Sequence, residues 1–329
     1  MGSVTKSIVW RHNRRIQPTA SSLRSLRVRL KRMPLGRCLT NECMEPETKM
    51  TISSKWVEVK GLRIHYLTAG TGAPVFLLHG GGTDSASLSW RLTIEPLADY
   101  FRVFAPDWPG YGESDKPAIQ YTIDYYISFL SDFMQTLGIV DASLVGISMG
   151  GGIALGFAPQ SPQRVSRLVL VDSYGLQTAA PAHKLSYLFI RIPMLNEMTW
   201  YLLKRSRTMT WASLRNIFHN PDVVSDELVD EVYAELKKPG TGRAFISFQR
   251  SEVLWNGLRT VYIDRLHEIK VPTLIVHGAK DRLVPLGCAQ QAHKLIKGSR
   301  LHVIADCGHW PQREKPDEFN RVLLEFLMQ

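Results

Sequence analysis

From residue 55 onward the chain alternates short apolar runs with stretches of helical period. Residues 56–59 and 62–68 read as a hairpin turning at Lys60-Gly61. Residues 75–79, 102–106, 143–147, 167–172, 273–277 and 300–304 are short and almost wholly apolar, as strands buried on both faces are. Helical patterns fill 90–100, 122–137, 287–297 and 316–328. Strands alternating with helices in this way predict an α/β fold with a mostly parallel sheet covered on both sides.

The alternation breaks between residues 176 and 266. That stretch keeps a helical pattern but carries many bulky side chains, among them Tyr187, Trp200, Trp211, Phe245, Phe248 and Trp255. A helical block between two strands of one sheet reads as an inserted lid. The expected organisation is a basic extension over 1–49, a core over 50–175 and 267–329, and the lid over 176–266.

Charge changes the picture only at one end. The formal net charge is +10, but residues 1–41 hold ten Lys and Arg and no acid, leaving 30 basic against 30 acidic residues beyond. The body is neutral, so the charge points to no nucleic-acid partner. The extension, with Leu23, Leu26, Leu30 and Met33 at helical spacing among arginines, reads as a disordered tail, an upstream start preceding Met50, or an organelle transit peptide or membrane-surface helix. No apolar run approaches the length of a membrane span, so a cytoplasmic protein without integral membrane association is expected. Cys38, Cys43, Cys288 and Cys307 show neither C-x-x-C nor zinc spacing. Neither a metal nor an organic cofactor is expected.

Ser148 is the strongest chemical signal. It lies in Gly146-Ile147-Ser148-Met149-Gly150, after an apolar strand and before the small-residue run 150–155. Strand, sharp turn and helix are the context that pushes a serine hydroxyl out at a sheet edge. A serine needs a base, and the base needs an acid to hold its tautomer. His309, past the strand at 300–304, is the candidate base; Asp281, past the strand at 273–277, is the candidate acid. Asp172 is the rival acid at another strand end. Cys307 beside His309 is a remote alternative nucleophile, because two neighbours on one loop lack the geometry of nucleophile and base. Gly81 in His79-Gly80-Gly81-Gly82 and Met149 are the candidate oxyanion donors through their N–H groups. His79 reads as a structural residue of that loop. Asp107, for want of a paired histidine, reads as a structural aspartate.

These motifs, in this order from about residue 55 to the end, resemble the α/β-hydrolase fold superfamily with a helical lid. Within it, Ser148-Met149-Gly150-Gly151 and residues 308–314, Gly-His-Trp-Pro-Gln-Arg-Glu, are similar to meta-cleavage-product hydrolases. The resemblance implies hydrolysis of a C–C bond in a vinylogous diketo acid. The chain departs from that group at Ile147, where members usually carry Asn, and at Gly82-Thr83-Asp84, where they continue Gly-Pro-Gly. Serine at the elbow sets it apart from epoxide hydrolases and haloalkane dehalogenases, which need Asp there. The main expectation is therefore a serine hydrolase cleaving a carboxylic ester with an apolar acyl or aryl group. A C–C hydrolase, or a small-molecule receptor keeping the same fold, are the alternatives, and a homodimer is compatible with all three.

Overall fold

The structure, a computed structural model, describes residues 51–329; the expectations for the basic extension lie outside them. β1 (Ser53–Val59) and β2 (Leu62–Ala69) form the expected antiparallel hairpin, with Lys60 and Gly61 both at positive φ in its turn. The chain then runs through β3 (Pro74–Leu78), α1 (Ala86–Ala98), β4 (Arg102–Pro106), α2 (Ile123–Thr136), β5 (Ala142–Ile147), α3 (Met149–Gln160) and β6 (Val165–Val171). Helix α1 starts four residues before the sequence pattern suggests. Ser85 caps it by accepting the Leu88 N–H, and a cap is a local bond that hydrophobic period does not show.

Between β6 and the next core strand come α4 (His183–Arg191), α5 (Leu195–Leu203), α6 (Arg207–Leu214), α7 (Asp226–Lys237) and α8 (Arg243–Glu252). They are followed by a small hairpin, β7 (Val253–Leu254) and β8 (Gly257–Leu258). Besides the expected helices the stretch thus holds two strands, each of two residues and so too short to show a period. The chain closes with β9 (Thr273–Gly278), α9 (Leu286–Leu295), β10 (Arg300–Ile304), α10 (Pro311–Glu314) and α11 (Pro316–Leu327).

The eight-stranded sheet has the order β1-β2-β4-β3-β5-β6-β9-β10, antiparallel at β1, β2 and β4 and parallel from β4 onward. Successive side chains of a strand point to opposite faces. Phe76, Leu78, Leu144, Leu168 and Leu170 enter one core with α2 and α3. Val75, Leu77, Val145, Val169 and Val171 enter the other with α1 and α11. Two cores explain why these strands are apolar at every position. The loops leaving the carboxyl ends of β3, β5, β6, β9 and β10 emerge along one sheet edge, where α/β folds place their ligands.

Candidate active site

Ser148 joins β5 to α3 with φ 50° and ψ −117°, a conformation that a side-chain-bearing residue adopts only when its surroundings enforce it. The enforcement is visible. Ser148 N–H donates to the Val171 carbonyl at 3.0 Å, and the Ser148 carbonyl accepts from Gly152 and Tyr174, each at 3.0 Å. A Cβ on Gly146 would overlap the Gly150 backbone, and one on Gly150 would overlap the Leu78 carbonyl. The two glycines flanking Ser148 are therefore steric requirements of the turn.

The loop after β3 is held by His79 and Asp84. His79 is fully buried, with Nδ1 bonded to the Gly80 carbonyl at 2.8 Å and Nε2 accepting the Trp108 N–H at 3.1 Å. Both nitrogens are committed in the neutral form, and burial brings its pKa down to about 4. His79 is thus structural, as expected. Asp84 accepts the Gly80 N–H at 2.8 Å and the Ser89 hydroxyl. Gly81 N–H and Met149 N–H, at the start of α3, meet no acceptor among the described residues, and both residues line one cavity with Ser148.

His309 Nδ1 bonds to Asp281 Oδ2 at 2.7 Å, which leaves Nε2 as the basic nitrogen. Asp281 Oδ1 accepts the N–H groups of Leu283 and Val284 at 2.7 and 3.2 Å. Burial would raise the Asp281 carboxyl, but the His309 bond and charge outweigh it and hold it below the usual aspartate range. His309 lines the same cavity as Ser148. No hydrogen bond joins the two side chains among the described residues. Such bonds commonly tighten only when substrate is present.

Asp172 also reaches this cluster. One of its carboxyl oxygens lies within 4.8 Å of an oxygen of Asp281 and a ring nitrogen of His309, but the hydrogen bond of His309 goes to Asp281. Asp172 accepts the Gly278 N–H at 3.0 Å and is fully buried. Its Oδ1 is 3.3 Å from Nδ1 of His277, whose Nε2 is bonded to the Val284 carbonyl. With Nε2 donating there, Nδ1 of a neutral His277 has no hydrogen to offer, so a proton on Asp172 fits the gap. Burial first, then the charge of Asp281, push the Asp172 carboxyl well above the aspartate range.

One reading changes. Asp107 does have a paired histidine: His65 Nδ1 lies 2.8 Å from its Oδ2, and His65 Nε2 bonds in turn to Ser54. The pairing of Tyr66 with Pro106 brings His65 of β2 beside the end of β4, a contact that only register creates. Asp107 also accepts the Ala86 and Glu113 N–H groups, which ties β2, the turn-rich loop and the start of α1 together. Cys307 is wholly buried, and burial drives its thiol far upward, which makes it a poor nucleophile.

Sequence reasoning passed over Glu314 and the role of Asp84. Buried Glu314 accepts the N–H groups of Gly308, His219 and Asn220 at 2.7, 3.0 and 2.7 Å, so it fastens the His309 loop to the segment before α7. His309 N–H adds a bond to the Ile217 carbonyl. Trp310 Nε1–H donates to Ser89, which donates to Asp84, so the His309 loop and the glycine loop share one polar chain. Glu314 stands at the end of the 308–314 motif, the one signal that could have flagged it.

The cavity has a volume of about 480 Å³. Its wall is largely apolar, with Ile147, Leu214, Ile217, Phe245, Phe248 and Trp310 among its side chains, and no Lys or Arg among the described residues lines it.

The fold has relatives among known proteins. Residues 73–316 match the model of the alpha/beta hydrolase fold family. The chain is 31% identical to 2-hydroxy-6-oxo-6-(2'-aminophenyl)hexa-2,4-dienoic acid hydrolase of Metapseudomonas resinovorans, over 87% of this chain and 94% of that one. It is 33% identical to 2-hydroxy-6-oxo-6-phenylhexa-2,4-dienoate hydrolase of Burkholderia cepacia, over 85% and 98% of the two chains. Among solved structures, the 2-hydroxy-6-oxo-6-phenylhexa-2,4-dienoate hydrolase of Rhodococcus sp. strain RHA1 is similar with a TM-score of 0.72 and 26% identity, covering 85% of this chain and all of that one.

Proposed function

Because the chain belongs to the α/β-hydrolase fold family, we propose that it is a serine hydrolase whose nucleophile is Ser148, whose base is His309 and whose orienting acid is Asp281. The observation that carries this reading is the His309–Asp281 bond of 2.7 Å opening onto the cavity that Ser148 lines. Ser148 Oγ adds to a substrate carbonyl carbon while His309 Nε2 takes its proton. The oxyanion falls to the N–H groups of Gly81 and Met149, a type of contact worth about 3 kcal/mol per donor. Collapse of the adduct expels the leaving group, which takes the proton from His309. Water, activated by the same imidazole, then releases the acyl group from Ser148. The helices between β6 and β9 act as the lid over this chemistry.

The relatives, dienoate hydrolases by name, favour C–C bond hydrolysis over ester cleavage as the bond broken. In that reaction the leaving group is a carbon whose electron pair is spread over a conjugated enone before it is protonated. Ester hydrolysis is the second reading, and one observation favours it. With Ile147 in the wall and no cation lining the cavity among the described residues, the carboxylate of a dienoate meets no charged partner. Turnover of a ring-cleavage dienone and of p-nitrophenyl esters by the purified chain decides between them. Faster release from the dienone supports the first reading, and faster release from the esters the second. Negligible turnover of both, with ligand-dependent protection of the lid, would point to the receptor alternative and sink the hydrolase reading.

A further inference from the structure

Helices α4, α5 and α6 carry apolar side chains outward. On α4, Leu185 and Leu188 recur at helical spacing with Ile192 just beyond; on α5, Leu195, Met198 and Leu202 do the same. All six are exposed, and Leu185 is 69% exposed. The buried positions include polar ones instead. Asn196 and Thr210 lie inward, and Asn196 donates to Gln249 at 2.9 Å. A surface helix of a water-soluble protein shows the reverse arrangement. An exposed apolar face of this extent marks a place where something else binds.

Charge narrows what that is. Residues 183–215 hold six Lys and Arg against the single acid Glu197. Glu197 is paired with Arg250, and Arg207 with Asp226 and Asp230. Lys184, Arg191, Arg205 and Arg215 have no carboxylate within ion-pair distance among the described residues. Each lies over an aromatic ring instead: Trp255 at 3.8 Å, Tyr187 at 5.3 Å, Tyr201 at 3.7 Å and Trp211 at 4.9 Å. Trp255, Tyr201 and Trp211 are themselves exposed. Aromatic rings with unpaired cations beside them, set among exposed Leu and Met, suit a lipid–water interface. There the rings sit at headgroup level and the cations meet phosphate.

We propose that the α4–α6 face docks this protein on the surface of an anionic phospholipid bilayer, dipping its Leu, Met and aromatic side chains among the headgroups without spanning the membrane. No described helix is long and apolar enough to cross one. A second copy is the poorer occupant, because a two-fold contact would press two like-charged faces together. The chain's own residues 1–41 hold ten Lys and Arg and no acid, so their charge is no complement to this face. A bilayer rich in acidic lipid is the complement in both charge and polarity. Leu203 and Leu214 of the same segment line the cavity, so the docking face and part of the cavity wall belong to the same helices.

The test is co-sedimentation of the full chain with vesicles of phosphatidylcholine, with and without roughly 30 mol% phosphatidylglycerol. The comparison is a Met198→Glu/Leu202→Glu variant, whose two positions are exposed and lie outside the cavity wall. The full chain is expected to partition onto the acidic vesicles, and the double variant to bind about tenfold more weakly. Turnover of a soluble substrate by the variant should be unchanged. Equal binding to both vesicle types overturns the proposal. Undiminished binding of the variant also overturns it, and assigns the attraction to residues 1–41. A dimer in light scattering that the double variant breaks, with vesicle binding untouched, makes the face a self-association surface instead.

Discussion

Gly150 and Leu78 stand so close that the α-carbon of one leaves no room for a methyl beside the carbonyl oxygen of the other. This contact joins the turn carrying Ser148 to the end of the strand that leads into Gly81, so the proposed nucleophile and one proposed oxyanion donor are placed by a single packing constraint. Gly150→Ala is therefore expected to cost about 1–3 kcal/mol of stability, as overpacked positions do. It should also lower kcat by more than it changes KM. Denaturation and steady-state kinetics on the same preparation check both effects; an active variant of normal stability would show that the turn relaxes freely.

Ser148→Ala should remove both turnover and labelling by a fluorophosphonate probe while leaving the melting temperature nearly unchanged. The side chain makes no hydrogen bond with His309 that the fold relies on. Mass spectrometry of the labelled wild type should place the adduct on Ser148; an adduct elsewhere refutes the assignment.

The two buried aspartates should separate cleanly. Asp281→Asn takes the acceptor from His309 Nδ1 and leaves the imidazole free to adopt the wrong tautomer. That change is expected to reduce kcat by about 10⁴, the size of the effect in serine-protease triads. Burial favours the protonated carboxyl at Asp172, and Asp172→Asn replaces it with an uncharged amide of the same shape, so kcat should stay within a few-fold. A reversal of the two results would make Asp172 the working acid.

Asp172 also dictates a pH dependence of stability. Its native carboxyl binds a proton more tightly than the unfolded one, whose pKa is near 3.8. Its contribution is complete below that value and is lost as pH rises through the raised native pKa. Thermal melts of Asp172→Asn should therefore gain on wild type as the solution becomes alkaline and converge with it near pH 4 (about the ordinary aspartate value). Parallel curves would mean that Asp172 is ionised in the native protein.

Glu314→Gln exchanges an acceptor of three N–H groups for a side chain with one acceptor oxygen. Loosening the His309 loop should reduce kcat about tenfold or more, since small misplacements of a catalytic group are costly. The binding of an apolar product analogue should hardly alter. Unaffected kcat would show that the Ile217 and Ser89 contacts fix the loop without Glu314.

Much of this was legible in the residue order. Strand and helix character followed from periodicity, because the central strands β3, β5 and β9 are buried on both sides and helices such as α2 and α11 on one. The elbow around Ser148 was readable because close packing of strand on helix admits only glycine at 146 and 150, and that constraint leaves its mark in the chain itself. What the linear pattern does not contain is adjacency between distant segments. Motif order named Asp281 as the acid for His309 with Asp172 as its rival, but it could not reveal that His65 meets Asp107 or that Glu314 gathers N–H groups from two loops. Nor could it tell which side of α4 and α5 faces outward, since an apolar stripe looks the same whether it meets a core or a solvent boundary. Those matters are decided by register, by loop closure and by competition for buried protons, which exist only once the sheet has assembled.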